Sequence, residues 1–137
     1  MSINLNPYLN FNGNTKEVME FYHKIFGGEL KLSPFSDFPN PPAGYEDKIM
    51  HAALTAGNIT IMASEGMPDK ATKMGENVTL SLTGDHEDGE KLTSYFNQLA
   101  EKGEVTEPLR KQVWGDEFGM VTDQFGIHWM INIAQAQ

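Results

Sequence analysis

No cysteine occurs anywhere in this chain. Its absence excludes disulfides, thiolate nucleophiles and cysteine-ligated zinc together. Cationic side chains are also scarce: 10 Lys and Arg against 19 Asp and Glu leave a formal net charge of −9. A surface so acidic repels phosphate backbones and anionic lipid, which argues against nucleic-acid and membrane partners. No apolar run approaches the roughly 18 residues that a bilayer span requires. The N-terminus lacks a basic n-region and apolar h-region, so a cytoplasmic location is expected. There is no H-x-H or H-E-x-x-H spacing for a helical metal site. Nor does a glycine-rich loop follow the first strand-like run, as an S-adenosylmethionine or nucleotide site would want, and Ser64 and Ser81 have no nucleophile-elbow context.

What is present is a pattern written twice. Ile3–Phe11 alternates as a strand and is followed by a helix-period stretch, Thr15–Phe26, then Gly27-Gly28-Glu29-Leu30. About 75 positions further on, Gly103-Glu104-Val105 closes a second such stretch, Leu92–Ala100, preceded by the alternating Asn77–Thr83. Asn14 reads as a helix N-cap with Glu17 completing a capping box, and Val18, Phe21, Tyr22, Ile25 and Phe26 form the apolar stripe. In the second helix that stripe is Leu92, Tyr95, Phe96 and Leu99. Further strands are expected at Glu29–Leu32, Ile49–Ala56, Ile59–Ser64, Val105–Arg110, Phe118–Thr122 and His128–Ile133. The order is β-α-β-β-β, twice. The expected organisation is one domain over 1–137, with module one at 1–65, a linker at 66–75 and module two at 76–137. Two such modules pair as α+β units whose curved mixed sheets surround a cleft. The irregular, proline-rich Pro34–Asp47 offers Phe35, Phe38 and Tyr45 either to close an opening or to contact a second subunit.

Strand parity sorts the side chains into two faces. Leu5, Leu9, Phe11, Ile59, Ile61, Ala63, Val78, Leu80, Leu82, Trp129, Ile131 and Ile133 fall on the side that packs under the helices. Asn6, Tyr8, Asn10, Thr60, Met62, Ser64, Asn77, Thr79, Ser81, His128, Met130 and Asn132 fall on the other. Amides, hydroxyls and thioethers without an inferred lysine or arginine suit a neutral or modestly polar small molecule.

The segments NPYLNFNGN, FYHKIFGGEL, MHAAL, ITIMASE and VWGDEFGMVTDQFGIHWMI carry a resemblance that spans nearly the whole chain. It is similar to the PhnB-like branch of the vicinal oxygen chelate superfamily, which includes glyoxalase I, extradiol dioxygenases and the fosfomycin and bleomycin resistance proteins. The resemblance implies paired βαβββ modules and a homodimer, but no particular reaction. Metal-using members of that superfamily place ligands on the first and last strands of each module. Carried over, those positions are Asn6, Met62, Asn77 and Met130, two amides and two thioethers where divalent ions want imidazole and carboxylate. No metal and no other cofactor is therefore expected.

The expected ligand-binding cleft comprises Asn6, Tyr8, Asn10, His51, Met62, Ser64, Asn77, Thr79, Trp114, His128 and Met130. Two readings of His51 and His128 stay open, acid–base or ligand groups on one hand and satisfied hydrogen-bonding residues on the other. Glu65 is either a general base near the cleft floor or a solvated turn residue. Trp114 stacks on a ligand or lies in a dimer contact, Trp129 belongs to the core, and Asp116, Glu117 and Asp123 read as a solvated acidic turn. The expectation is a metal-independent small-molecule-binding protein. The alternative is a divalent-metal-dependent lyase, transferase or dioxygenase, and whether any reaction occurs is left open.

Overall fold

The computed structural model describes residues 3–66 and 70–137. It falls into two compact units, Met1–Lys73 and Met74–Gln137. In unit 1 the strands β1 (Tyr8–Phe11), β2 (Glu29–Pro34), β3 (Ile49–Ala56) and β4 (Ile59–Glu65) form one sheet in the order β1-β4-β3-β2. Strand β1 runs parallel to β4, and the other pairs are antiparallel. Helix α1 (Thr15–Phe26) supplies the crossover that a parallel pair needs. Unit 2 repeats the plan with β5 (Leu80–Gly84), α2 (Gly89–Ala100), β6 (Glu104–Lys111), β7 (Glu117–Thr122) and β8 (His128–Ile133), ordered β5-β8-β7-β6. Here β5 is parallel to β8. The fold is thus α+β, with one mixed four-stranded sheet in each of two modules. In the expected linker 66–75, residues 67–69 lie outside the described residues.

Periodicity places the helix-facing residues well. Phe11, Ile61 and Ala63 are buried with Ala52 and Leu54 in unit 1, as are Trp129, Ile131 and Ile133 with Val121 in unit 2. Helix α1 buries Val18, Met19, Tyr22, Ile25 and Phe26, while Phe21, assigned to the stripe from sequence, is only half-buried. Helix α2 buries the predicted Leu92, Tyr95, Phe96 and Leu99. Each large buried side chain contributes about 1.5–3 kcal/mol of transfer free energy.

Both leading strands are shorter than their alternation suggests. Pro7 has no N–H to donate, so β1 begins only at Tyr8, although the Pro7 carbonyl still accepts from Met62 N at 3.1 Å. Strand β5 begins at Leu80, after bends at Glu76 and Asn77. Asn6, Asn77 and Thr79 therefore lie outside the ladders on which parity had placed them. Leu5 and Val78, expected beneath the helices, are 99% and 67% exposed, because alternation alone buries nothing once the backbone has left the sheet.

The first helix start also differs. Asn14 makes no side-chain cap. Glu65, 4% exposed at the end of β4, instead anchors the helix start from 50 residues away. Its Oε1 accepts from Thr15 Oγ1 at 2.7 Å and from Gly13 N at 2.9 Å. Glu65 shares parity with Ile61 and Ala63, so it faces α1 and is neither a solvated turn residue nor on the open face. Gly27 and Gly28 stop α1 with φ of 71° and 80°. A Cβ on Gly28 would overlap the Thr55 carbonyl oxygen, so β2 could not close on β3. In the long loop, Phe35 is buried against Tyr45, ring centroids 5.7 Å apart, whereas Phe38 is exposed.

Candidate functional site

In each unit the sheet face away from the helix carries the polar and thioether side chains. Unit 1 brings together five of the predicted residues. Tyr8 and Ala53 flank Met62 across the sheet, and Asn10 pairs with Ser64 one step along. His51 pairs with Ser33 on β2 and points to this same face. The Tyr8 hydroxyl lies 3.1 Å from His51 Nδ1, with the rings 5.7 Å apart and inclined by 32°. Ser64 donates to the neighbouring Glu65 carbonyl at 3.1 Å. Asn6 is half-exposed just outside this array.

Unit 2 assembles Thr79, His128 and Met130. Met130 lies between Ser81 and Met120, and His128 pairs with Thr122. A hollow of about 380 Å³ is lined by Thr79, Met120, Thr122 and His128, with Glu76 and Glu104 among its other walls. His128 is committed at both ring nitrogens: Nδ1 is 2.9 Å from Thr122 Oγ1, and Nε2 is 3.0 Å from the Gly75 carbonyl. A carbonyl only accepts, so Nε2 donates and the Thr122 hydroxyl donates to Nδ1. A larger hollow of about 860 Å³ runs along the solvent side of α2 from His86 to Glu101, but holds none of the predicted residues.

Register corrects one carried-over position. Leu80 pairs with Trp129, so Thr79 comes opposite His128, just as Asn6 comes opposite Thr60 when Tyr8 pairs with Met62. With Met62 and Met130 matching, Thr79 rather than the exposed Asn77 is the counterpart of Asn6. The superfamily positions in this chain are thus an amide, a hydroxyl and two thioethers, a donor set that does not fit a hard divalent ion. Among the described residues no three His, Asp or Glu side chains converge to hold one.

Several neighbours escaped the sequence reading. Lys31 pairs with Ala53, and Arg110 with Phe118, so both sheets do present a cation on the open face. Each sits 3.7 Å from a carboxylate, Glu29 and Glu107 respectively. Alternation of Lys31 with Leu30 and Leu32 was the signal that could have found the first. Trp114 stands half-exposed at the β6–β7 turn, edge-on to Phe118 at 6.2 Å.

The acidic turn divides in two. Asp123 is 3% exposed: Oδ2 accepts from the Trp129 indole at 2.9 Å, and Oδ1 accepts from the Phe125 and Ile127 amides at 2.9 and 3.1 Å. Asp116 accepts from Asn132 Nδ2 at 3.1 Å and Gln135 N at 3.0 Å. Those bonds, the Asn132 amide foremost, hold its carboxyl below the usual aspartate range.

Comparison with known proteins agrees with this architecture. The family model described as 3-demethylubiquinone-9 3-methyltransferase matches residues 4–132. The protein YjdN of Escherichia coli is 33% identical, covering 97% of this chain and 97% of its own. The crystal structure of protein PA1353 from Pseudomonas aeruginosa is 41% identical with a TM-score of 0.87, covering 98% of this chain and all of that one. A structure titled as a putative 3-demethylubiquinone-9 3-methyltransferase, PhnB protein, from Bacillus cereus shares the fold at TM-score 0.72 and 23% identity, over 96% of this chain and 100% of that one. The fosfomycin resistance protein FosX of Listeria monocytogenes also shares the fold, at TM-score 0.64 and 14% identity over 98% of this chain and 95% of that one. The chain therefore belongs to the 3-demethylubiquinone-9 3-methyltransferase family, and it shares its fold with PhnB-titled and fosfomycin resistance proteins.

Proposed function

We propose that this protein is a metal-independent small-molecule-binding protein that acts as a cytoplasmic homodimer, without nucleic-acid or membrane partners. The observation that carries the reading is the chemistry of the two open sheet faces. Tyr8, Asn10, His51, Met62 and Ser64 on one, and Thr79, Met120, Thr122, His128 and Met130 on the other, combine hydrogen-bonding groups with soft apolar surface. Such lining suits a ligand with a flat or apolar body and a few polar atoms. His128 supports binding over metal chemistry, since both its nitrogens are already used within the protein. Asn6 and Trp114 extend the set of candidate ligand contacts, while the exposed Asn77 is its weakest member. The homodimer draws support from Ile3, Leu5, Val113 and Trp114, large apolar side chains left in solvent.

The family description names a methyl transfer to a ubiquinone precursor. No glycine-rich loop follows β1, however, and the helix after it starts on a buried glutamate–threonine contact.

The test is a thermal-shift series on chelator-treated protein, first with Ni²⁺, Zn²⁺, Mn²⁺ and Fe²⁺, then with a diverse small-molecule library. Stabilisation by organic compounds, unchanged on adding metals, is the expected result. Stoichiometric metal uptake that is lost on His51→Ala would instead establish the divalent-metal lyase, transferase or dioxygenase alternative. Light scattering checks the homodimer, and monomer alone at micromolar concentration would refute it.

A further inference from the structure

We propose that Tyr8 fixes His51 in the tautomer protonated at Nε2, so that unit 1 aims an N–H donor at a carboxylate on its ligand. This rests on the small-molecule-binding reading and names the ligand class for it. The two histidines of the open faces differ in one respect that matters. His128 spends its donor on the Gly75 carbonyl, whereas Nε2 of His51 has no partner among the described residues. Its other nitrogen, Nδ1, faces the Tyr8 hydroxyl at 3.1 Å. A phenol is a far stronger acid than a neutral imidazole N–H, so the hydroxyl donates and Nδ1 accepts. The ring proton is then left on Nε2, on the open side.

The surroundings favour an anionic acceptor. Ser33 on β2 brings a hydroxyl to the same face, whereas Ser64 on β4 spends its own on the Glu65 carbonyl. The charged groups that these strands turn to the face of His51 are Lys31 and Glu29 of β2, paired with each other; β1 adds Tyr8 and Asn10, and β4 adds Thr60, Met62 and Ser64. No carboxylate on these strands stands unpaired beside the imidazole. The Tyr8 ring and the Met62 thioether flank the donor with apolar surface. An aromatic or otherwise flat carboxylic acid fits all three features.

The first measurement needs no ligand. Long-range ¹H–¹⁵N spectra of the labelled full-length protein above neutral pH report the tautomer of His51 directly. The Nε2-protonated form should dominate, and Tyr8→Phe should lower the tautomer ratio about threefold, the effect of one exposed hydrogen bond. A dominant Nδ1-protonated form, or a ratio that Tyr8→Phe leaves unchanged, overturns the proposal. The second arm titrates benzoate and benzyl alcohol while following the His51 resonances. Benzoate should bind about tenfold more tightly than the alcohol, and His51→Gln should remove the preference. Equal binding of the two overturns the carboxylate assignment and leaves the binding reading standing. If neither compound shifts any resonance of unit 1, the carboxylate assignment fails, and the wider library then decides the binding reading separately.

Discussion

Asp123→Asn is the sharpest test of how unit 2 is held together. Oδ1 accepts two backbone amides, and an asparagine carbonyl in the same place still accepts both. Oδ2 accepts the Trp129 indole N–H at 2.9 Å, and there the substitution puts an amide NH₂ against another donor. Both residues are almost fully buried, 3% and 2% exposed. A buried hydrogen bond to a charged group is worth about 1.5–3 kcal/mol, and desolvating a mismatched donor adds to the loss. The expected cost is about 2–4 kcal/mol, a large share of the 5–15 kcal/mol typical of a small protein. In a chain of this length it lowers Tm by about 10 °C. Urea unfolding of the wild type, Asp123→Asn, Trp129→Phe and the double variant, followed by far-UV circular dichroism, isolates the pair. Because Trp129→Phe removes the indole donor, Asp123→Asn should cost about 1.5–2 kcal/mol less in that background. If the two costs add within about 0.5 kcal/mol, the indole–carboxylate bond does not carry the turn and the reasoning fails.

Gly28→Ala should destabilise unit 1 by about 3 kcal/mol or more, since φ of 80° and the Thr55 carbonyl both exclude a side chain, and a melting curve within 2 °C of the wild type (about 0.5 kcal/mol) would contradict this. Asp116 has a lowered folded-state pKa, so its contribution to holding the C-terminal segment is full above the ordinary aspartate range and is lost as pH falls through the lowered value. The Gln135 amide resonance should follow that titration, and Asp116→Asn should flatten it; an unshifted midpoint would disprove the assignment. Asn12 and Thr72 exchange two hydrogen bonds, at 2.9 and 2.8 Å, that tie the segment after β4 to the end of β1. Asn12→Ala should speed hydrogen exchange at the Thr72 amide about tenfold, and unchanged protection would mean that the segment is fixed elsewhere.

The repeat, the order of its elements and the identity of the helix-facing side chains were legible in the chain itself. They depend on periods of two and 3.6 residues, which the backbone of each element imposes locally. The alternation of Ile59–Ser64 or His128–Ile133 therefore assigned the faces without a partner strand in view. Tertiary structure alone decided the rest. Asp123 looked like a solvated turn acid and Glu65 like either that or a cleft base, yet each is buried on donors supplied by a distant or folded-back segment, a relation that no local period encodes. Pro7 and the bends before Leu80 cut the leading strands short, and pairing of Leu80 with Trp129 made Thr79, not Asn77, the counterpart of Asn6. Arg110 joined the open face only through its partner across the sheet. What separates the two groups is range: alternation along one strand sets which way a side chain points, whereas its neighbours depend on pairings between residues far apart in the chain.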